Sequence, residues 1–325
     1  MLTRRQILTF AAAGTASALA TPILAAAPEP AKEPAKTFRF GWQKNGVPAL
    51  TKRRGTLETR LAARAVAVTW HEFPSGPPLL EALGAGAIDF GYTGDIPPIF
   101  AQAGKLDLVY VGAAPAPGSS SAILVKKDGP IRSLADLKGR TLAFTKGSSA
   151  HNVAVSALRK AGLTLKDVTP AYLSPADAGA AFAGGRVEAW SIWDPFYAIA
   201  EQNPDVRVLT TAEGIVDSYG YYLANGAYTK ANPTLVREVL AELAVQAAWS
   251  QDHLEETAKA LSEITGVPYD VTLRSVKRTN TRFAVLPVTP EIVKTQQAIA
   301  DTFAAEGLIP AKLDIASIVW TAPSI

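Results

Sequence analysis

Five short segments of this chain combine hydroxyls, amides and glycines with little charge. They are Trp42-Gln43-Lys44-Asn45-Gly46, Phe73-Pro74-Ser75-Gly76-Pro77-Pro78 and Tyr92-Thr93-Gly94-Asp95-Ile96-Pro97-Pro98, followed by Thr145-Lys146-Gly147-Ser148-Ser149-Ala150-His151-Asn152 and Trp190-Ser191-Ile192-Trp193-Asp194-Pro195. Together they offer the Gln43 amide, the hydroxyls of Ser75, Thr93, Ser148 and Ser149, and the Gly94 amide, with Gly76 beside Ser75 as a further candidate contact. Neutral donors in this number suit a small oxyanion whose charge is permanent. A sulfonate has three oxygens that only accept hydrogen bonds, and it stays ionised at any physiological pH, so it needs no buried Lys or Arg. Each charge-assisted bond contributes roughly 1.5–3 kcal/mol net, and about four or five give micromolar binding, about −8 kcal/mol, after ordering costs. Phosphate differs, because it can carry a proton that a nearby carboxylate would accept. The aromatics Trp42, Trp190 and Trp193 suit the wall around an apolar tail, and a sulfonate set directly against Asp95 or Asp194 would be repelled.

Segments like these meet when each follows a strand of an open α/β sheet, where functional loops gather at the carboxyl ends. The pattern predicts strands over 38–42, 66–70, 88–92, 108–112 and 141–145. Helices are expected between them: one carrying Leu50, Leu57 and Leu61 on a single face, another over 77–83, and a third over 150–161 closed by Gly162. Ser133-Leu134-Ala135-Asp136 reads as a capping box. Beyond Asn232 the chain turns helical, over 233–250, 254–265, 270–277 and 290–305. Strands alternating with helices imply mostly parallel sheets covered on both faces.

An internal echo refines this architecture. Leu83-x-x-Gly86-x-Ile88-Asp89 recurs as Phe182-x-x-Gly185-x-Val187-Glu188, and Asp95 recurs as Asp194, all at an offset of 99 residues. Matches at one fixed offset point to two lobes on one plan. Asp89 and Glu188 then read as structural groups that cap or pair loops. The expected organisation is an α/β molecule of two doubly wound lobes joined by a two-strand hinge, with C-terminal helices. Lobe 1 comprises 38–117 plus 220–325, lobe 2 comprises 118–219, and the crossings fall near 115–121 and 217–222.

Each candidate residue also has a plainer local role. Ser148 and Ser149 suit capping of the helix that follows, a role compatible with ligand contact. Thr93-Gly94 suits a turn, and Gly76 a backbone freedom. Asp95 and Asp194 suit N-caps of helices that begin with Pro. His151 stands between capping and binding, and Trp190 and Trp193 between core and pocket wall.

Several functions are disfavoured. The 325 residues contain no Cys and only three His, so disulfides, thiol catalysis and thiolate metal sites are excluded and no metal or cofactor is expected. The net charge is +3, of which Arg4 and Arg5 supply two units, so nothing suggests nucleic-acid binding. No phosphate loop, complete dinucleotide fingerprint, metalloprotease helix or nucleophile elbow is present, which leaves no catalytic residues to name. Residues 1–27 have the layout of an export signal, with Thr3-Arg4-Arg5-Gln6-Ile7-Leu8 similar to a twin-arginine motif and an Ala-rich run behind it. Residues 28–37 form a Pro-rich tether. The mature chain is expected to be exported without inserting into the membrane.

Four strings carry a specific family resemblance: Thr93-Gly94-Asp95-Ile96-Pro97-Pro98-Ile99-Phe100-Ala101-Gln102, Lys146-Gly147-Ser148-Ser149-Ala150-His151-Asn152, Ser174-Pro175-Ala176-Asp177-Ala178 and Ile192-Trp193-Asp194-Pro195. They resemble the aliphatic sulfonate-binding proteins of ABC importers, and the likeness runs from about Phe38 to Trp320. The resemblance implies a type II periplasmic binding protein, monomeric, that delivers alkanesulfonates to a membrane permease and its ATPase for sulfur supply. By position it implies ligand contacts at Gln43, Thr93-Gly94, Ser148-Ser149 and the segment from Trp190 to Asp194. The competing readings are a taurine, nitrate or pyrimidine-precursor receptor of the same fold, and a periplasmic enzyme on this scaffold.

Overall fold

A computed structural model describes residues 36–279 and 283–322. The export-signal reading, and most of the tether, lie outside the described residues. Four strands come first: β1 (Thr37–Trp42), β2 (Ala67–Glu72), β3 (Phe90–Thr93) and β4 (Val109–Ala116). Between them lie α1 (Gly46–Arg54), α2 (Thr56–Ala62), α3 (Gly76–Gly84) and α4 (Ile96–Ala103). The chain then enters β5 (Ser121–Lys126), β6 (Thr141–Phe144), β7 (Thr169–Tyr172), β8 (Ala189–Trp193) and β9 (Val206–Thr211). These alternate with α5 (Ser149–Lys160), α6 (Pro175–Ala183) and α7 (Phe196–Ala200). It returns through β10 (Ser218–Ala224) and finishes in α8 (Gly226–Ala231), α9 (Pro233–Asp252), α10 (Leu254–Thr265), α11 (Tyr269–Thr279) and α12 (Pro290–Ala305).

Two five-stranded sheets result, ordered β2-β1-β3-β10-β4 and β7-β6-β8-β5-β9. Within each, the four strands joined through helices run in the same direction, because a crossover helix brings the chain back that way. The reversed strands are β10 in the first sheet and β5 in the second. Both arrive directly from the other sheet without a crossover helix, so the sheets are more mixed than the alternation of elements implied. The chain passes between sheets from β4 to β5 and from β9 to β10, and β5 and β10 occupy equivalent slots.

The echo at offset 99 places β3 and β8 in equivalent slots as well. Gly86 and Gly185 both take left-handed turns, at φ 69° and 70°. Asp89, 1% exposed, accepts from the Arg39 backbone N–H at 2.7 Å and from its guanidinium at 2.5 Å. Glu188 does the same for the second sheet, accepting from Thr141 N–H at 3.0 Å and from the Arg140 guanidinium at 2.9 Å. Each carboxylate stands just before the central strand of its sheet, β3 or β8, and ties it to the neighbouring parallel strand, β1 or β6.

The single helix expected to carry Leu50, Leu57 and Leu61 is broken into α1 and α2. Gly55 adopts φ 64° and donates to Thr51 and Lys52 carbonyls, which ends α1. All three leucines are nevertheless fully buried. The capping box at Ser133 forms, but around a short 3-10 turn over Leu134–Leu137. The helices after β10 cover the first sheet: Leu235, Val236, Val239 and Leu243 of α9 pack with Phe38, Phe40 and Phe90, and Ile292, Ile299 and Phe303 of α12 pack with Leu79, Ile96 and Ile99. α10 and α11 pack through Ala258, Leu261 and Val276 on Trp42 and Leu50. Among the described residues no helix is long and apolar enough to cross a membrane.

Candidate functional site

The two sheets point loops from their strand ends into one cavity. From the first lobe come Gln43, Gly46, Gly76, Tyr92, Gly94 and Asp95, and from the second Ser148, Ser149, Trp193 and Asp194. The inter-sheet connections add Ser120, Ser121, Ser218 and Tyr219, and α10 and α11 add Leu261, Thr272, Ser275, Val276 and Thr279, with Phe283 beyond.

Helix starts supply donors unequally. α3 and α4 each have two prolines in the first turn, which removes N–H groups, and Asp95 occupies the Ile96 N–H of α4 at 2.9 Å. α5 is different. The hydroxyl of its N-cap Ser148 donates to the Thr145 carbonyl at 2.7 Å instead of capping, and no acidic residue stands in its first turn. The helix start therefore keeps N–H groups without a side-chain cap at the positive end of twelve aligned peptides, and Ser148 and Ser149 at that end line the cavity. α1 also begins without a side-chain cap or an acidic residue. Gln43 is held by its amide, which donates to the Tyr92 carbonyl at 3.0 Å and keeps a second N–H.

The lobes touch closely here. A Cβ placed on Gly94 would lie 1.8 Å from Ser149 Oγ, so glycine is what allows the second lobe's serine to approach. Both Asp95 and Asp194 are buried: Asp95 is the expected N-cap of α4, whereas the N-cap of α7 is Pro195 and Asp194, one residue earlier, accepts from Ala198 N–H at 3.0 Å. Burial pushes the Asp95 carboxyl up, and bonds from Asn152, Ser149 and Ile96 pull against it. Asp194 meets Arg278 of α11, a side chain that the sequence reading does not single out.

Seven of the sequence candidates line the cavity: Gln43, Gly76, Gly94, Ser148, Ser149, Trp193 and Asp194. Four do not, and the pleat explains two of them. Tyr92 and Gly94 face the cavity, so Thr93 between them faces away, fully buried with its Cβ against Gly76. Trp190 lies three residues from Trp193 and so points through the other face of its sheet, packing on Phe182 of α6 at 6.0 Å between ring centroids. Ser75 is the buried N-cap of α3. His151 is turned inward, its ring stacked on Phe144 at 4.9 Å and its Nδ1 accepting from Gly147 N–H at 3.3 Å. The polar lining on α11 carried a readable signal: Thr272, Ser275, Val276 and Thr279 recur at helical spacing on one face.

Burial pushes the His151 imidazole down to about 4, with Lys146 acting in the same direction. In an unfolded chain it titrates near ~6.5, so the unfolded state binds the proton first. Stability is therefore expected to fall as pH drops from about 6.5 towards about 4, and to be untouched by this residue above that window. Urea unfolding at about pH 7 and about pH 5 checks it. Wild type should lose more stability across that interval than His151→Gln, and an equal loss would mean that the ring is not held neutral.

Among the described residues no three His, Cys, Asp or Glu side chains gather as a metal ion would need. A family model described as NMT1/THI5 like matches residues 67–256. A relative from Escherichia coli (strain K12), named for binding aliphatic sulfonates, is 41% identical over 317 residues, covering 97% of each chain. The crystal structure of the periplasmic aliphatic sulphonate binding protein SsuA from Escherichia coli matches with TM-score 0.81 at 40% identity, covering 90% of this chain and 94% of that one. The alkanesulfonate-binding protein SsuA from Xanthomonas axonopodis pv. citri, bound to MOPS, matches with TM-score 0.83 at 41% identity, covering 90% and 99%. The two-sheet fold, the cleft between its lobes and relatives matched over nearly their whole length agree, and the chain belongs to the NMT1/THI5-like family and, within it, to the aliphatic sulfonate-binding proteins.

Proposed function

We propose that this chain is the substrate-binding component of an ABC importer for aliphatic sulfonates. It captures the sulfonate in the inter-lobe cavity and hands it to a membrane permease driven by its ATPase, for sulfur supply. One observation carries the reading: neutral donors from both lobes converge on one cavity, Gln43 and Gly94 facing Ser148, Ser149 and the uncapped start of α5. A sulfonate there meets the second Gln43 N–H, backbone N–H groups and a helix dipole, and the Ser148 and Ser149 hydroxyls donate to it by turning from the Thr145 carbonyl and from Asp95. All of these favour a charge that cannot be neutralised by protonation. The tail lies toward Leu261, Val276 and Phe283, where apolar surface replaces hydration. The chain works as an exported monomer in the periplasm, with the twin-arginine segment as its address, and by binding and release without a catalytic residue, metal or cofactor.

Calorimetry with 1-butanesulfonate, taurine, sulfate, nitrate and phosphate tests this. Micromolar binding of the alkanesulfonate, and weaker binding of the others, is the expected result. Preference for taurine or nitrate would reassign the receptor within its fold, and turnover of any of these compounds would make it an enzyme. Ser148→Ala combined with Ser149→Ala is expected to weaken alkanesulfonate binding about tenfold, ~1.4 kcal/mol. An unchanged affinity would remove both hydroxyls from the site.

A further inference from the structure

Asp95 and Asp194 stand at matched places, 99 residues apart, each just beyond the equivalent strand of its own lobe. Both are buried, at 1% and 6% exposure, and both bond the helix that follows on their own lobe. A cap needs no further partner, yet each has at least one from the opposite lobe, and Asp95 has the Ser149 hydroxyl as well as Asn152. Asn152 of α5 donates its amide to Asp95 Oδ2 at 2.5 Å. Arg278 of α11 donates Nη1 to both Asp194 oxygens, at 3.1 and 3.2 Å, and Nη2 to Glu201, with its guanidinium 3.9 Å from the Tyr197 ring centroid. Neither Asn152 nor Arg278 lines the cavity.

We infer that these contacts are two reciprocal clasps: each lobe presents one aspartate that the other lobe holds, and Asn152 and Arg278 are positioning residues for ligand capture. A bond across the cleft exists only while the lobes are together. Its free energy therefore belongs to the closed form and adds to the apparent affinity of any ligand that requires closure. The clasps also settle an electrostatic conflict. Two carboxylates stand at a site that favours an anion, and their oxygens are spent on Asn152, Arg278 and helix N–H groups. Losing Arg278 would leave Asp194 buried, charged and unpaired beside that anion. Glu201 would lose the same partner, although Arg274 stands 4.0 Å from it.

The ligand in this inference rests on the sulfonate reading, whereas the lobe contact does not. The test uses the full chain, with calorimetry against 1-butanesulfonate and small-angle scattering without ligand. R278M is expected to bind at least about tenfold more weakly, and N152A about fivefold more weakly, each with a larger radius of gyration than wild type. The double variant D194N/R278M removes both charges and is expected to recover to within about threefold of wild type, which a purely structural arginine would not show. Wild-type affinity and radius in R278M and N152A, or a loss that D194N fails to restore, would overturn the clasps. If wild type binds no alkanesulfonate, the functional reading falls, and the scattering still decides the clasps: an unchanged radius overturns them.

Discussion

Replacing Gly94 with Ala is expected to weaken alkanesulfonate binding about tenfold, ~1.4 kcal/mol, while thermal stability changes little. The backbone at Gly94 is not left-handed, so alanine is acceptable there on conformational grounds. The obstacle lies across the cleft. The new methyl would sit 1.8 Å from Ser149 Oγ and 3.1 Å from Ser149 Cβ. The hydroxyl can rotate away, at the cost of its bond to Asp95, but the Cβ contact asks the start of α5, on the other lobe, to give by a few tenths of an ångström. The penalty therefore falls on the closed form, the form that a two-lobed site needs in order to surround its ligand. In a Ser149→Gly background, Gly94→Ala should cost little further affinity beyond what Ser149→Gly alone loses, because both atoms that the methyl strikes are gone. Calorimetry on the single and double variants is the measurement, and wild-type affinity in Gly94→Ala would mean that the two loops do not meet when ligand binds.

The second large effect is on stability. Phe303→Ala is expected to cost about 3–5 kcal/mol, as for other fully buried aromatic rings, and to lower the melting temperature by roughly ten degrees. Phe303 is fully buried in α12, with its ring edge-on to Phe100 at 6.1 Å and to His151 at 5.1 Å. It therefore joins the C-terminal helix to the first lobe's core and meets the first turn of α5 from the second lobe. Phe303→Leu keeps most of the apolar volume and should lose considerably less. Denaturant unfolding of both variants checks this, and a cost under about 1 kcal/mol for the alanine would show that the cavity collapses without strain.

The candidate loops were legible because strand ends, Gly turns and Ser or Asp before helices leave local marks in sequence. The repeated carboxylates at 89 and 188 were read as structural, and both anchor a backbone N–H and an arginine. What local pattern could not supply was facing. Thr93 and Gly94 are neighbours and Trp190 and Trp193 lie three residues apart in one strand, and only the register of each pleat against its helices turns one of each pair toward the cavity and the other into a core. His151 stands in a loop of binding candidates, but its ring stacks on nearby Phe144 and finds Phe100 and Phe303, which lie far away along the chain.

From residue order alone came the two-lobe plan, the alternation of strands and helices, the loops that hold neutral donors and the family itself. These are properties of short segments and of one fixed repeat distance, which chain chemistry writes locally. Only the tertiary structure decided that β5 and β10 run against their neighbours, that the Ser148 hydroxyl turns to Thr145 and leaves α5 without a side-chain cap, and that Arg278 meets Asp194 from 84 residues away. Such pairings depend on which surfaces two separately folded sheets bring together, and no local propensity encodes that meeting.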